Sequence, residues 1–310
     1  MFRAQVRALP KLKKKGTYMQ TFLLIAALCL IFTMKAFFMS LLSKRHLHGA
    51  ADSVLINGFI FACIALIFAA FVPRAGLYEL LFGILMGALT VLCQISYMTA
   101  LSVGPLSLTG LVYNLAMLVP IFVSKIAYGE PLGVFRAIGI LLSVAALIIN
   151  TKRGANDTIS KKWYFFILLA FFANGLVATV TKVFTHDFVP AGVLFPIETY
   201  AYLGCAYLTA TLLSAIIFLI MRRKKKQVTC RPSPSFFLLA VAVALLLAIF
   251  QPIYAYSASV IDGTLLFPAY NGGATLLVTV SGMLLFKEKL SRRQWLGVTV
   301  GAIAILFMCL

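Results

Sequence analysis

Charge is scarce in this chain, and acid is scarcer still. Of 310 residues only 11% are charged, and 8 are Asp or Glu against 27 Lys or Arg. Soluble domains carry about 25% charged residues, so a soluble globular protein is excluded before any helix is drawn. Histidine is rare as well. His46, His48 and His186 stand at the ends of apolar runs, with no carboxylate or thiol companion at ligand spacing, so no metal site is expected. The 6 cysteines (Cys29, Cys63, Cys93, Cys205, Cys230, Cys309) include no Cys-x-x-Cys pair and lie mostly within apolar runs. They read as small hydrophobes rather than as a disulfide framework. A phosphate-cradling glycine loop is missing, as is any stretch long enough for a soluble nucleotide-binding domain. An ATP-driven pump and a metal-dependent hydrolase therefore find no support, and no cofactor is expected.

What the chain has instead is apolar length. Hydrophobic residues make up 62% of it and the mean hydropathy is +1.02. A bilayer-spanning helix needs about 20 mostly apolar residues. Ten such segments are predicted, at roughly 19–43, 52–72, 77–99, 106–128, 134–150, 163–185, 192–220, 235–257, 264–286 and 293–309. The expected fold is an all-α integral membrane protein of ten transmembrane helices. The net charge of +19 does not point to nucleic acid, because Lys and Arg cluster beside the spans, as at Lys44-Arg45, Lys161-Lys162, Arg222 to Lys226 and Arg292-Arg293. Anionic head groups and insertion topology produce that pattern. The basic start from Arg3 to Lys15 resembles a signal peptide, but the apolar run behind it is too long and lacks a small-x-small cleavage site. It is expected to remain as the first span.

The chain also repeats itself. VLCQISYMTALSVGPLSLTGLVYN, from Val91 to Asn114, returns 157 positions later as AIFQPIYAYSASVIDGTLLFPAYN. Gln94 falls on Gln251, Tyr97 on Tyr254, Tyr113 on Tyr270 and Asn114 on Asn271. Apolar matches mean little, but polar side chains are costly in hydrocarbon, and several recurring at one offset argue for duplication. Lys35 likewise falls on Lys182 at an offset of 147, and Gly58 on Gly204 at 146. The expected organisation is a basic tail (1–18), a five-helix repeat (19–150), a polar linker (151–162) and a second five-helix repeat (163–310). An odd number of spans per repeat inverts the second relative to the first, an arrangement common among secondary transporters.

The ends of the repeats match too. Glu130 is followed nine residues on by Gly139, and Glu288 nine residues on by Gly297. Acid there suits a helix N-terminus, and Pro131 suits its first position. Together with the paired Lys35 and Lys182 and two five-helix halves spanning nearly the whole chain, these hairpins resemble the drug/metabolite transporter superfamily, EamA-like ten-helix branch. The Trp-Gly-type pair that often precedes the first lysine in that branch is replaced here by Leu30-Ile31-Phe32. The resemblance implies a multi-pass permease of the cell membrane, not an enzyme, moving small polar metabolites through a site between the repeats. Efflux of amino-acid-like or other carboxylate-bearing solutes is the first expectation, and uptake of a sugar or nucleoside the second. A membrane-embedded enzyme or receptor would need a cluster of reactive or metal-binding side chains at one depth, which the sequence does not offer.

The substrate path is expected at Lys35, Gln94, Tyr97, Asn114, Lys182, Glu198, Tyr202, Gln251, Tyr254, Tyr270 and Asn271. A lysine near mid-membrane costs about 2.5–3.5 kcal/mol and should face a wet cavity or a counter-ion. Lys35 is assigned to a cavity. Lys182 stands close enough to its helix end to snorkel as readily, and Lys125 is expected to snorkel. Asp52 is expected at the head groups. Glu198 could do the same, pair with a lysine, or carry a coupling proton if desolvated. Gln94 and Tyr97, three residues apart, share a helix face, as do Gln251 and Tyr254. Pro120 and Gly272-Gly273 are expected to break their helices beside Asn114 and Asn271, a pointer to a transport site. Small-residue faces at Gly83/Gly87, Gly139/Ser143 and Gly297/Gly301 suit close packing within a monomer or in a homodimer. The spans that follow inversion place sixteen Lys/Arg on one side and eight on the other, tail included. That count puts both termini outside by the positive-inside rule, whereas the resemblance and the basic tail put both inside.

Overall fold

The computed structural model describes residues 14–46, 50–103, 106–150, 160–190, 193, 196–223, 233–286 and 292–309, and they are almost entirely helical. In chain order the helices are α1 (Lys14–His46), α2 (Ala50–Phe68, continued by a 3-10 segment Ala69–Arg74), α3 (Leu77–Val103), α4 (Leu106–Leu115), α5 (Leu118–Tyr128), α6 (Val134–Asn150), α7 (Lys161–Asp187), α8 (Ile197–Arg223), α9 (Pro234–Val260), α10 (Gly263–Phe286) and α11 (Arg292–Cys309). Among the described residues, seven stretches against the ten expected are long and apolar enough to cross a bilayer: Tyr18–Ser43, Ala51–Arg74, Leu77–Val103, Thr109–Tyr128, Lys161–Asp187, Ile197–Arg223 and Pro234–Val260. Val134–Ala146 and Trp295–Phe307 are shorter apolar helices. Large apolar side chains point outward, among them Ile126 (82% exposed) and Leu66 (76%). In water such a surface would aggregate, and in lipid it is the ordinary exterior.

Local chemistry sets the ends. Ser160 and Ser233 cap α7 and α9, each hydroxyl accepting a backbone N–H three residues on at 3.2 Å. Pro234 takes the first helical position of α9, where its missing N–H is no loss. Gly129 closes α5 in the left-handed region, φ 62°. The break between α4 and α5 falls at Ala116-Met117. Pro120 causes it, because proline removes the N–H that would bond residue 116 and crowds that carbonyl.

Packing joins the two halves of the chain. α1 lies against α9 and α10, while α7 lies against α3 and the α4–α5 pair. α2 packs on α8, and α6 on α11. α3 and α8 touch backbone to backbone: a β-carbon at Gly83 would stand 2.9 Å from the Tyr202 carbonyl, and one at Gly87 would collide with that of Ala206. The Gly83/Gly87 face is thus used inside the molecule. Gly272 and Gly273, by contrast, break nothing. α10 runs continuously through them, and Gly273 leaves room for the Cys29 thiol of α1. Helical hydrogen bonding there needs no proline-type interruption, and missing side chains serve contact rather than a kink.

Candidate functional site

Five of these segments surround a cavity of about 250 Å³. α1 contributes Phe32 and Lys35, the α4–α5 break Tyr113, Asn114 and Pro120, and α7 Asn174 and Thr181. α9 adds Phe250, Gln251 and Tyr254, and α10 adds Phe267, Tyr270 and Asn271. Six of the seventeen lining residues are aromatic. Phe32 meets Tyr270 edge-on at 5.7 Å, and Phe250 stacks on Tyr254 at 5.5 Å. Lys35 is the cation in this wall. Its Nζ lies 4.5 Å from the centre of the Phe32 ring, a cation–π contact, and it has no hydrogen-bond or ion-pair partner among the described residues. The tyrosine hydroxyls of Tyr254 and Tyr270 and the Asn114 amide are likewise unbonded among those residues. Asn271 donates to the Phe267 carbonyl at 2.8 Å, which leaves its oxygen as an acceptor. Gln251 donates to the buried Tyr207 hydroxyl at 2.7 Å. Asn174 donates to the Tyr113 carbonyl at 3.3 Å, bracing the helix break from α7.

A set of ionic contacts involves Lys182, the residue after the cavity-lining Thr181, and the first turn of α10, three residues before the cavity-lining Phe267. Lys182 Nζ lies 2.9 Å from Glu130 Oε1, with 3% and 9% of the two side chains exposed. The same ammonium donates to the Ile261 carbonyl at 3.0 Å. Glu130 Oε2 accepts the Thr264 backbone N–H at 3.2 Å, at the N-terminus of α10. A carboxylate there is favoured by the orphan N–H groups and the helix dipole. Arg136 and Asp262 form a second pair at 2.9 Å, with Arg136 also donating to the Pro131 carbonyl at 3.1 Å. These contacts tie the α5–α6 connection to α7 and to the α9–α10 connection.

Of the residues expected from sequence, Lys35, Asn114, Gln251, Tyr254, Tyr270 and Asn271 line the cavity. Gln94, Tyr97, Lys182, Glu198 and Tyr202 do not. Lys182 neither snorkels nor faces open space, because Glu130 neutralises it inside the bundle. Tyr202 is fully buried, stacked on Phe184 at 4.3 Å with its hydroxyl 3.1 Å from Thr181 Oγ1. Tyr97 stands one layer back, its ring 4.4 Å from that of Tyr113, while Gln94 is half-buried on α3. Glu198 sits half-buried in the first turn of α8, without a lysine partner among the described residues. Asp52 is fully buried in the first turn of α2 and has an interaction partner, not a place at the surface. Lys125 is exposed on α5, as a snorkelling lysine should be. Glu288, the repeat partner of Glu130, lies outside the described residues. Sequence reasoning left out Phe32, Asn174 and Thr181. Asn174 was findable as a lone amide in an apolar run, but it has no polar counterpart in the first half.

No family model matches this chain, and no curated protein matches it. Solved structures do. One crystal structure is similar over 94% of this chain and 95% of its own, at 19% sequence identity and a TM-score of 0.68. Likeness at that identity concerns the fold alone, and it spans the whole arrangement of helices around the cavity.

Proposed function

We propose that this chain is a secondary-active permease of the cell membrane, built as two inverted five-helix repeats of the EamA-like kind. It carries small polar metabolites with a carboxylate or similar anionic group. The observation that carries this reading is the unequal treatment of two matched lysines. Lys35 stands unpaired in the cavity, whereas Lys182 is locked against Glu130. Gln251 and Tyr254 face the cavity, but their counterparts Gln94 and Tyr97 do not. Inverted repeats held in one access state produce such asymmetry, one half open around the site and the other closed. The helix pairings support the same view, since α1 on α9 and α10 mirrors α7 on α3 and α4–α5.

An anion suits the unpaired ammonium, and ionic attraction is strong in a low-dielectric recess. The aromatic wall takes the apolar body of the solute, and the free amide and hydroxyl groups take its polar substituents. No described cavity-lining residue is acidic, so a net cation has no counter-charge there. Metabolite profiles of medium and cytosol would test this in cells producing wild type or Lys35→Ala. One class of carboxylate solute should redistribute with wild type and not with the variant, at equal membrane insertion. Equal redistribution by both would overturn the role of Lys35. Redistribution of cations or neutral sugars alone would overturn the substrate class.

A further inference from the structure

A second recess lies on the outside of the bundle and belongs to no part of the transport path. It is an open groove of about 280 Å³ between α2, α8 and α9, lined by Leu55, Gly58, Phe59, Ala215, Phe218 and Phe237 among others. Its floor exists because Gly58 has no side chain, since a β-carbon there would stand 3.2 Å from Ser214 Cβ. The α8 residues in it, Thr211, Ala215 and Phe218, continue on the same helix face to Arg222. Eleven helical steps separate Thr211 from Arg222, which is about 16 Å at 1.5 Å per residue. The hydrocarbon depth of one leaflet is about 15 Å, half of a ~30 Å core. With Arg222 at head-group level the groove would start near the bilayer middle, and Arg222 stands one helical turn past its last α8 lining residue, Phe218.

That end is cationic. Arg222 and Arg223 of α8 and Arg45 of α1 are all exposed, and none has an ion-pair or hydrogen-bond partner among the described residues. The nearest acid in the lining helices, Asp52, is fully buried. His46 packs edge-on against Phe236 at the mouth, ring centres 5.5 Å apart, and its buried Nε2 has no hydrogen-bond partner. An apolar slot with unpaired arginines above it matches an acyl chain and a phosphate in that order.

We propose that this groove is a binding site for one anionic phospholipid, with an acyl chain between α2 and α8 and its phosphate held by Arg222 and Arg223. The site straddles helices from both halves of the chain, so a bound lipid stays with the protein and braces their contact. It does not depend on what the central cavity carries.

The full chain, stripped of lipid in detergent, can be titrated with phosphatidylglycerol and phosphatidylcholine of identical acyl chains. Native mass spectrometry reads retention, and thermal unfolding reads stabilisation. Phosphatidylglycerol should be retained as a single adduct and raise the melting temperature, with a preference over phosphatidylcholine of roughly thirtyfold for two arginines. Arg222→Gln/Arg223→Gln should abolish the preference, and Arg292→Gln/Arg293→Gln at another helix end should leave it intact. Ala215→Trp, at an exposed lipid-facing position, should fill the slot and lower retention of both lipids while the lipid-free melting temperature stays unchanged. Equal retention of the two lipids would overturn the proposal, as would undiminished phosphatidylglycerol retention in Ala215→Trp. Glycerol 3-phosphate producing the same stabilisation would overturn it too, because the acyl slot would then be irrelevant.

Discussion

On the proposed permease reading, replacing Glu130 by Gln tests whether the buried Lys182–Glu130 pair holds an access state. The side chain keeps its size and an oxygen for the Thr264 N–H, but the Lys182 ammonium, 3% exposed, loses its counter-charge. Removing one partner of a buried pair costs about 3–5 kcal/mol, while replacing both by apolar groups is often neutral. The penalty falls on the state that buries Lys182. A state that lets water reach the ammonium escapes it, so the equilibrium between them moves by roughly a hundred- to several-thousand-fold. Ile261 reports on this: it is 4% exposed and its carbonyl accepts from Lys182. On a cysteine-less background, Ile261→Cys should resist a membrane-impermeant maleimide. Adding Glu130→Gln should make it react, and adding Lys182→Met to that should return it toward protection. The double variant separates ionic closure from damage, since it removes more of the native contact yet restores the closed state. Equal protection in all three proteins would refute the reasoning, as the pair would then not hold the closure.

Other perturbations follow from the same contacts. Arg136→Gln should lower stability by no more than about 1 kcal/mol, because its partner Asp262 is 41% exposed and exposed pairs contribute little; thermal unfolding measures it. Gly87→Val should reduce the melting temperature sharply and the folded yield with it, because any side chain there meets the Ala206 carbonyl of α8. Pro120→Ala should join α4 to α5 and turn Asn114 out of its position, so transport should fall while the melting temperature holds or rises. Unaltered transport in that variant would show that the break does not shape the site.

Seven of the ten expected spans return, among the described residues, as helices long and apolar enough to cross a bilayer; they were legible because hydrocarbon imposes one composition on every helix that crosses it. Paired polar residues were legible for the reason that their cost makes chance repetition improbable. What one sequence does not encode is which of two residues at matched sequence offsets lines the cavity. Lys35 and Lys182 occupy matched places, and so do Gln94 and Gln251, yet only one of each pair lines the cavity. Glu130 shows the same limit. Its position beside Pro131 suggested an acid for the helix it precedes, but the carboxylate serves the N-terminus of α10, 134 residues away, together with Lys182. Asn174 escaped notice because its counterpart at the lysine offset of 147 is Ala27. A search for matched polar residues finds what both halves keep and misses what one half has added. Asn174 bonds to the Tyr113 carbonyl, which also accepts Ala116 N–H within the break. Its presence in the second half alone therefore breaks the symmetry at the very helix interruption that shapes the cavity. On the proposed reading of a permease with two inverted repeats, moving the amide to the matched position, as Asn174→Ala with Ala27→Asn, should shift the balance between access states without changing which solutes are carried. A change of solute class instead would place Asn174 in contact with substrate.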